Sequence, residues 1–426
     1  RQGRIFGRAA ANPADIAITG GRIAAIAPDL DAEGPSVALG GRLVSPGLVE
    51  THIHLDKTCI IDRCNIAEGS LREAVAETAR AKRAFIEEDI YGRAARTLER
   101  CILNGTMLMR THVEIDPGIG FRGLDAIRQL AKDYAWAIDI EICAFPQEGL
   151  TNNPGTEPLL VESLGRGASV IGAAPYTDSD PRAQIDRIFA IARERDVDID
   201  MHLDLADAPH GMQIEHVCDE TMRHGHGARV AVGHVTQLST VAKAEFERIG
   251  RRVARAQVAV TVLPSTDLYL MGRDQDHEVR RGVTPAHRLL SLGVNCSLST
   301  NNVLNPFTPY GDASPIRMAN LYANVCHVGR ADELAECFAM LTTRSAALMR
   351  RRDYGIAVGN PADLVVFDCR TPEAAVAEVV PPLFGLKGGR MTFAHPRARL
   401  LSPARDATPA AIASAMSELL SEDVRR

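Results

Sequence analysis

Leu48-Val-Glu-Thr-His52-Ile-His54-Leu-Asp56-Lys57 is the stretch from which the fold is read. An apolar run leads into two histidines separated by one residue, and charged groups follow at once. Side chains alternate between the two faces of an extended strand, so His52 and His54 point the same way at its C-terminal end. Two imidazoles so placed suit one metal ion, or form a plain pair of strand-end histidines.

Downstream of this stretch, short apolar runs alternate with longer segments of helical composition such as 71–103 and 179–195. Strands are expected around 48–54, 106–114, 140–145, 169–174, 197–203, 229–234, 258–263 and 294–300. Eight βα units in about 300 residues predict an α/β fold, a closed (β/α)8 TIM-like barrel over 49–354, better than an open doubly wound sheet. No Gly-x-Gly-x-x-Gly follows a strand, which counts against dinucleotide binding.

The two ends share a different vocabulary. Asp15-Ile-Ala-Ile-Thr, Gly20-Gly21 and Arg22-Ile-Ala-Ala-Ile read as a hairpin. Similar short β segments return in Tyr354-Gly-Ile-Ala-Val-Gly-Asn-Pro-Ala-Asp-Leu-Val-Val-Phe-Asp and around Lys387-Gly-Gly-Arg390. One small accessory β-sandwich domain built from 1–48 and 355–402 is therefore expected. An amphipathic pattern after Pro403 and Pro409 predicts a helical C-terminal extension over 403–426, a packing or oligomer element that leaves homo-oligomerisation open.

Composition bounds the function. Of 426 residues 46% are apolar and 24% charged, the profile of a chain with a large core. A net charge of −6 with only short basic clusters gives no attraction to nucleic acid. There is no uninterrupted apolar run of about 18 residues to suggest a membrane span. The start, Arg1-Gln-Gly-Arg4, carries no apolar signal core and no initiator Met, so a trimmed N-terminus and a reducing cytoplasm are expected. Nine cysteines without a C-x-x-C pair indicate neither a disulfide framework nor a cysteine zinc cluster, and Cys143 and Cys296 read as small buried hydrophobes.

In a parallel barrel the chemistry sits at the C-terminal ends of strands. The fifth run ends His202-Leu-Asp204 and the sixth ends Gly233-His234. Three neutral imidazoles and a water make a plausible catalytic zinc site with an open coordination position.

Ordered motifs along nearly the whole chain carry a family resemblance. They are Ser45-Pro-Gly-Leu-Val-Glu-Thr-His-Ile-His-Leu-Asp-Lys-Thr58, Arg110-Thr-His-Val-Glu-Ile-Asp116, Ala144-Phe-Pro-Gln-Glu-Gly149, Gly233-His234, Arg281-Gly-Val-Thr284 and Tyr354-Gly-Ile-Ala-Val-Gly-Asn-Pro-Ala-Asp363. This string resembles the amidohydrolase superfamily, in its cytosine deaminase and N-isopropylammelide hydrolase branch. The resemblance implies one divalent metal ion, zinc first and iron as the alternative, on His52, His54 and His202. It implies that His234 hydrogen-bonds the attacking water or the developing oxyanion. Gln147 would contact a heterocyclic substrate, and Lys57 matches a lysine near the metal in the isopropylammelide branch.

Two carboxylates of that pattern are missing. The metal-binding Asp after the eighth strand is replaced by Asn301, whose amide oxygen can ligate weakly but cannot take a proton at neutral pH. The glutamate three residues after the fifth-strand metal histidine is replaced by Leu205, which makes deamination of cytosine itself doubtful. Asp204 is the replacement base to expect, or else a carboxylate that orients a ligand histidine; Glu114 is a further candidate.

The expected function is metal-dependent hydrolysis of a C–N bond in a small cyclic amidine or amide, such as a pyrimidine or triazine. A carbamate or ester hydrolase, and a relative that binds a heterocycle without turnover, are the alternatives.

Overall fold

The computed structural model describes residues 1–8 and 13–396, and residues Arg1–Ala394 form one compact unit. The expected helix over 403–426 and the end of the accessory segment, 397–402, lie outside the described residues.

The strands run β1 (Arg4–Ile5), β2 (Asp15–Thr19), β3 (Arg22–Ala27), β4 (Leu43–Pro46), β5 (Leu48–Ile53), β6 (Thr106–Glu114), β7 (Asp139–Phe145), β8 (Val170–Ile171), β9 (Asp198–Leu203), β10 (Val230–His234), β11 (Val258–Val262), β12 (Cys296–Leu298), β13 (Leu364–Phe367), β14 (Pro382–Lys387) and β15 (Arg390–Ala394). Strands β5 to β12 pair in parallel, each with its sequence neighbour, and helices alternate with them. This is a (β/α)8 TIM-like barrel. Every residue of β5 and β6 is buried, as expected of strands covered by helices on one face and filling the barrel with the other.

Local signals start the helices. Ser70 Oγ accepts the Glu73 N–H ahead of helix Leu71–Lys82, and Asp180 caps Pro181–Arg195, whose first residue is proline. The barrel closes between its first and last strands through one bridge, Ile53 to Asn301. Asn301 N–H donates to His52 O at 2.9 Å, and His54 N–H donates to Asn301 O at 3.0 Å. The closing bridge therefore sets Asn301 beside the His-x-His pair.

The accessory part draws on both ends. A five-stranded sheet has the order β1-β4-β13-β14-β15, and the β2–β3 hairpin turns at Gly20-Gly21, both at positive φ. Ile23 of the hairpin packs with Val44, Leu364 and Val366 of the sheet. Only Gly47 separates β4 from β5, and its N–H donates to Asp363 O at 3.0 Å, so the accessory sheet runs directly into the strand that carries His52.

The expected strand positions are all occupied, with two much shorter than their apolar runs. β8 is two residues long and β12 three. Gly172, next after β8, is hemmed in: a Cβ there would lie 2.7 Å from Asp200 O and 2.8 Å from Phe145 Cβ. All nine cysteines are free, and Cys143 and Cys296 are fully buried. No helix among the described residues is long and apolar enough to cross a membrane.

Candidate active site

Each site residue stands at, or just beyond, the C-terminal end of a barrel strand. His52 lies in β5 with His54 just past it, His202 is in β9, and His234 ends β10. The Nε2 atoms of His52 and His54 each lie 3.0 Å from Nε2 of His202. All three rings are buried, and burial, reinforced by the neighbouring histidines and, for His54 and His202, by Lys57, holds them well below the usual imidazole range. Neutral imidazoles with convergent lone pairs are what a divalent ion requires.

Asn301 joins His54 and His202 on the wall of a small cavity lined also by Lys57, Gln147, Tyr176, His234 and Phe307. It is 1% exposed, yet neither its amide oxygen nor its nitrogen has a partner among the described residues. An orphaned amide beside three imidazole nitrogens, with no carboxylate in the immediate set, fits a borderline ion such as zinc or iron better than an oxygen-seeking one.

Lys57 is clamped rather than solvated. Its Nζ donates to Glu114 Oε1 at 2.8 Å and to Gln147 Oε1 at 3.0 Å, and it sits 4.3 Å from the centre of the Phe307 ring. Gln147 Nε2 donates in turn to Tyr176 Oη at 3.3 Å. The other oxygen of Glu114 accepts from Lys82 Nζ at 2.8 Å, and Lys82 also pairs with Asp116 and Glu148. Burial works against the charge of Glu114, but Lys57 and Lys82 outweigh it and pull its pKa down to about 2. So acidic a carboxyl, with both oxygens occupied, makes a poor base at neutral pH.

Asp204 is held by backbone donors. Its two oxygens accept the backbone N–H groups of Gln213 and Ile214 at 2.7 and 3.0 Å, at the start of helix Ile214–Arg223, and it is not among the cavity residues. The side chain that follows His202 by two residues turns to that helix because the backbone at Asp204 adopts a left-handed φ of 49°, breaking the strand alternation.

A carboxylate does reach the site, from the seventh strand's end. Asp267, in helix Pro264–Leu270, is fully buried and lies 2.6 Å from His234 Nδ1. A carboxylate accepts, so in the neutral ring it is Nδ1 that carries the proton, which leaves the lone pair on Nε2. Burial raises the Asp267 carboxyl, opposed by His234. Sequence reading missed this residue, although Leu263-Pro-Ser-Thr-Asp267 follows a barrel strand directly. Tyr176, Phe307 and Lys82 were missed as well, since each belongs to a loop or helix with no pattern pointing inward.

A family model described as "Amidohydrolase family" matches residues 124–393. The chain is similar to pterin deaminase of Rhizobium rhizogenes (strain K84 / ATCC BAA-868), 29% identical over 370 residues, with 84% of this chain and 82% of that protein covered. It is 26% identical to N-isopropylammelide isopropyl amidohydrolase of Pseudomonas sp. (strain ADP), covering 88% of this chain and 93% of the other. The crystal structure of 5-methylcytosine deaminase from Klebsiella pneumoniae liganded with 5-fluorocytosine superposes with a TM-score of 0.89 at 26% identity, over 94% of this chain and 98% of that one.

Proposed function

The chain belongs to the amidohydrolase family, and from that premise we propose that it hydrolyses a C–N bond of a small nitrogen heterocycle, a cyclic amidine or amide, releasing ammonia or an amine. The observation that carries this reading is the convergence of three neutral imidazoles on one point beside a cavity lined also by His234, which Asp267 holds from its other nitrogen. Relatives named as a pterin deaminase and an isopropylammelide amidohydrolase support the bond type and the ring class.

His52, His54 and His202 would hold one divalent ion, zinc by the chemistry of its donors, with the Asn301 oxygen as a neutral fourth group. When bound, such an ion supplies Lewis acidity, which polarises the substrate and acidifies water to a pKa of about 7. Proton handling falls to His234. Its Nε2 takes the proton of the attacking water as the C–O bond forms, and returns it to the leaving nitrogen as the C–N bond breaks. Asp267 stabilises the imidazolium between those events and fixes the tautomer, the part that the replaced strand-eight carboxylate cannot play. Lys57 and Gln147 face the substrate: the ammonium, held by Glu114, offers a donor to a ring oxygen or nitrogen, and Gln147 orients the ring edge.

The test is ammonia or amine release from a panel of pterins, pyrimidines and triazines, run with metal-loaded protein and after exhaustive chelation. Release that stops on chelation and returns with zinc or iron is expected. Turnover indifferent to metal removal overturns the reading. The neutral amide at Asn301 favours one alternative, a protein that binds the heterocycle without turning it over; tight binding with no release in any metal form would select it.

A further inference from the structure

Next to the imidazole trio, on residues that do not line the cavity, three more buried polar atoms converge. They are His52 Nδ1, His112 Nε2 and Asp200 Oδ1, and none has a hydrogen-bond partner among the described residues. Asp200 Oδ1 lies 3.5 Å from His112 Nε2 and 4.0 Å from His52 Nδ1. Its other oxygen accepts from Arg110 Nη1 at 2.8 Å, and Arg110 Nε reaches Glu141 at 2.6 Å, so the guanidinium is fixed from two sides. His112 stacks on His52, ring centres 3.8 Å apart and planes 25° apart. All four side chains, Arg110, His112, Asp200 and His52, are essentially inaccessible to solvent.

His52 thus has two differently occupied edges. Nε2 faces His202 and the expected ion, while Nδ1 faces the Asp200 oxygen that His112 Nε2 also approaches. A histidine ligates through one nitrogen in the tautomer set by the hydrogen bond of the other, and the carboxylate behind a ligand histidine both fixes the ring and raises its basicity. The 4.0 Å between His52 Nδ1 and Asp200 Oδ1 is within ion-pair range and is screened by no solvent. We propose that Arg110, Asp200 and His112 are positioning residues for the metal centre: His112 fixes the plane of His52 by stacking, and Asp200, clamped by Arg110, accepts a hydrogen bond from His52 Nδ1–H so that Nε2 is aimed at the ion. This rests on the reading of His52 as a metal ligand.

The same three atoms have the spacing of a second cation site. The guanidinium 2.8 Å from the only carboxylate in it argues against that, because a divalent ion there would share one anionic group with Arg110 and would need His52 stripped of its Nδ1 proton. The geometry favours a proton in that place.

The experiment measures zinc stoichiometry and affinity by chelator competition on the full chain, for wild type and for Asp200→Asn, His112→Phe, His112→Leu and His52→Ala. Nitrogen-15 NMR of the zinc-loaded protein reads the His52 tautomer. The expected result is one ion per chain, affinity lowered roughly 10- to 100-fold in Asp200→Asn, and an Nδ1-protonated His52 in wild type. His112→Phe, which keeps a flat ring, retains affinity, and His112→Leu weakens it. This last pair carries the test if Asp200→Asn does not fold. Unchanged affinity in both Asp200→Asn and His112→Leu overturns the proposal while leaving His52 as a ligand. Two ions in wild type falling to one in Asp200→Asn overturns it in favour of a second cation. Wild-type affinity retained in His52→Ala overturns the metal reading itself.

Discussion

At the scale of single residues, the site is held by buried charges that leave few groups free. His234, on the cavity wall, and Asp267 form a close, buried imidazole–carboxylate pair. Asp267→Asn should lower kcat by roughly 10²- to 10⁴-fold with a much smaller change in KM, the loss expected when a general base loses its orienting partner. Steady-state kinetics on any substrate found in the panel checks it, and a KM-only effect would assign Asp267 to binding instead. Glu114 is the second point. Its depressed pKa, about 2 against an ordinary 4.5, contributes stability that is fully present above about 4.5 and is lost as the pH falls toward 2. Glu114→Gln leaves Lys57 and Lys82 buried beside a neutral amide and should destabilise the fold by about 3–5 kcal/mol at pH 7. Urea denaturation should find that the gap between wild type and variant narrows on acidification; a constant gap down to pH 3 would refute the charge pairing as its origin.

At the scale of elements, two glycines let strands and rings approach where any side chain would intrude. Gly233, one residue before His234 in β10, lies against the edge of His52, where an added Cβ would sit 3.0 Å from both Cε1 and Nδ1. Gly233→Ala should therefore push the imidazole off its aim and weaken zinc binding, with unfolding free energy of the metal-free protein changed less than in Gly172→Ala. The latter puts a methyl against Asp200 O and Phe145 Cβ, both on neighbouring strands, and should cost about 1–3 kcal/mol by overpacking. Chelator competition and denaturation of the two variants separate these effects. Loss of stability without loss of zinc affinity in Gly233→Ala would contradict the contact with His52.

At the scale of the whole molecule, the strand bearing the histidine pair grows straight out of the accessory sheet. Lys387 of β14 bridges Asp139 at 2.8 Å, the first residue of β7, and Asp363 at 2.6 Å beside the accessory strands. Residues 1–394 should accordingly unfold in one cooperative transition, and zinc should raise that transition as a whole. At free zinc 1,000 times its Kd the expected stabilisation is about 4 kcal/mol. Scanning calorimetry with and without chelator tests this; an accessory transition that ignores zinc would show the two parts to be energetically separate.

What the sequence determined by itself was local. Strand periodicity and the βα rhythm placed eight strands, and strand-end histidines marked His52, His54, His202 and His234, because alternation along a strand is fixed by the chain's own geometry. The amide at Asn301 was equally plain, as was the loss of a base that it implies. Which carboxylate pairs with His234 was not legible. Asp204 follows His202 by two residues and looks aimed at the site, yet a left-handed φ turns it onto the backbone of another helix. Asp267 and His234 are 33 residues apart, and Lys57 meets Glu114 across 57. Pairings of that range depend on how loops and helices pack around the barrel mouth, and packing is settled by the whole set of buried groups at once rather than by any stretch of chain.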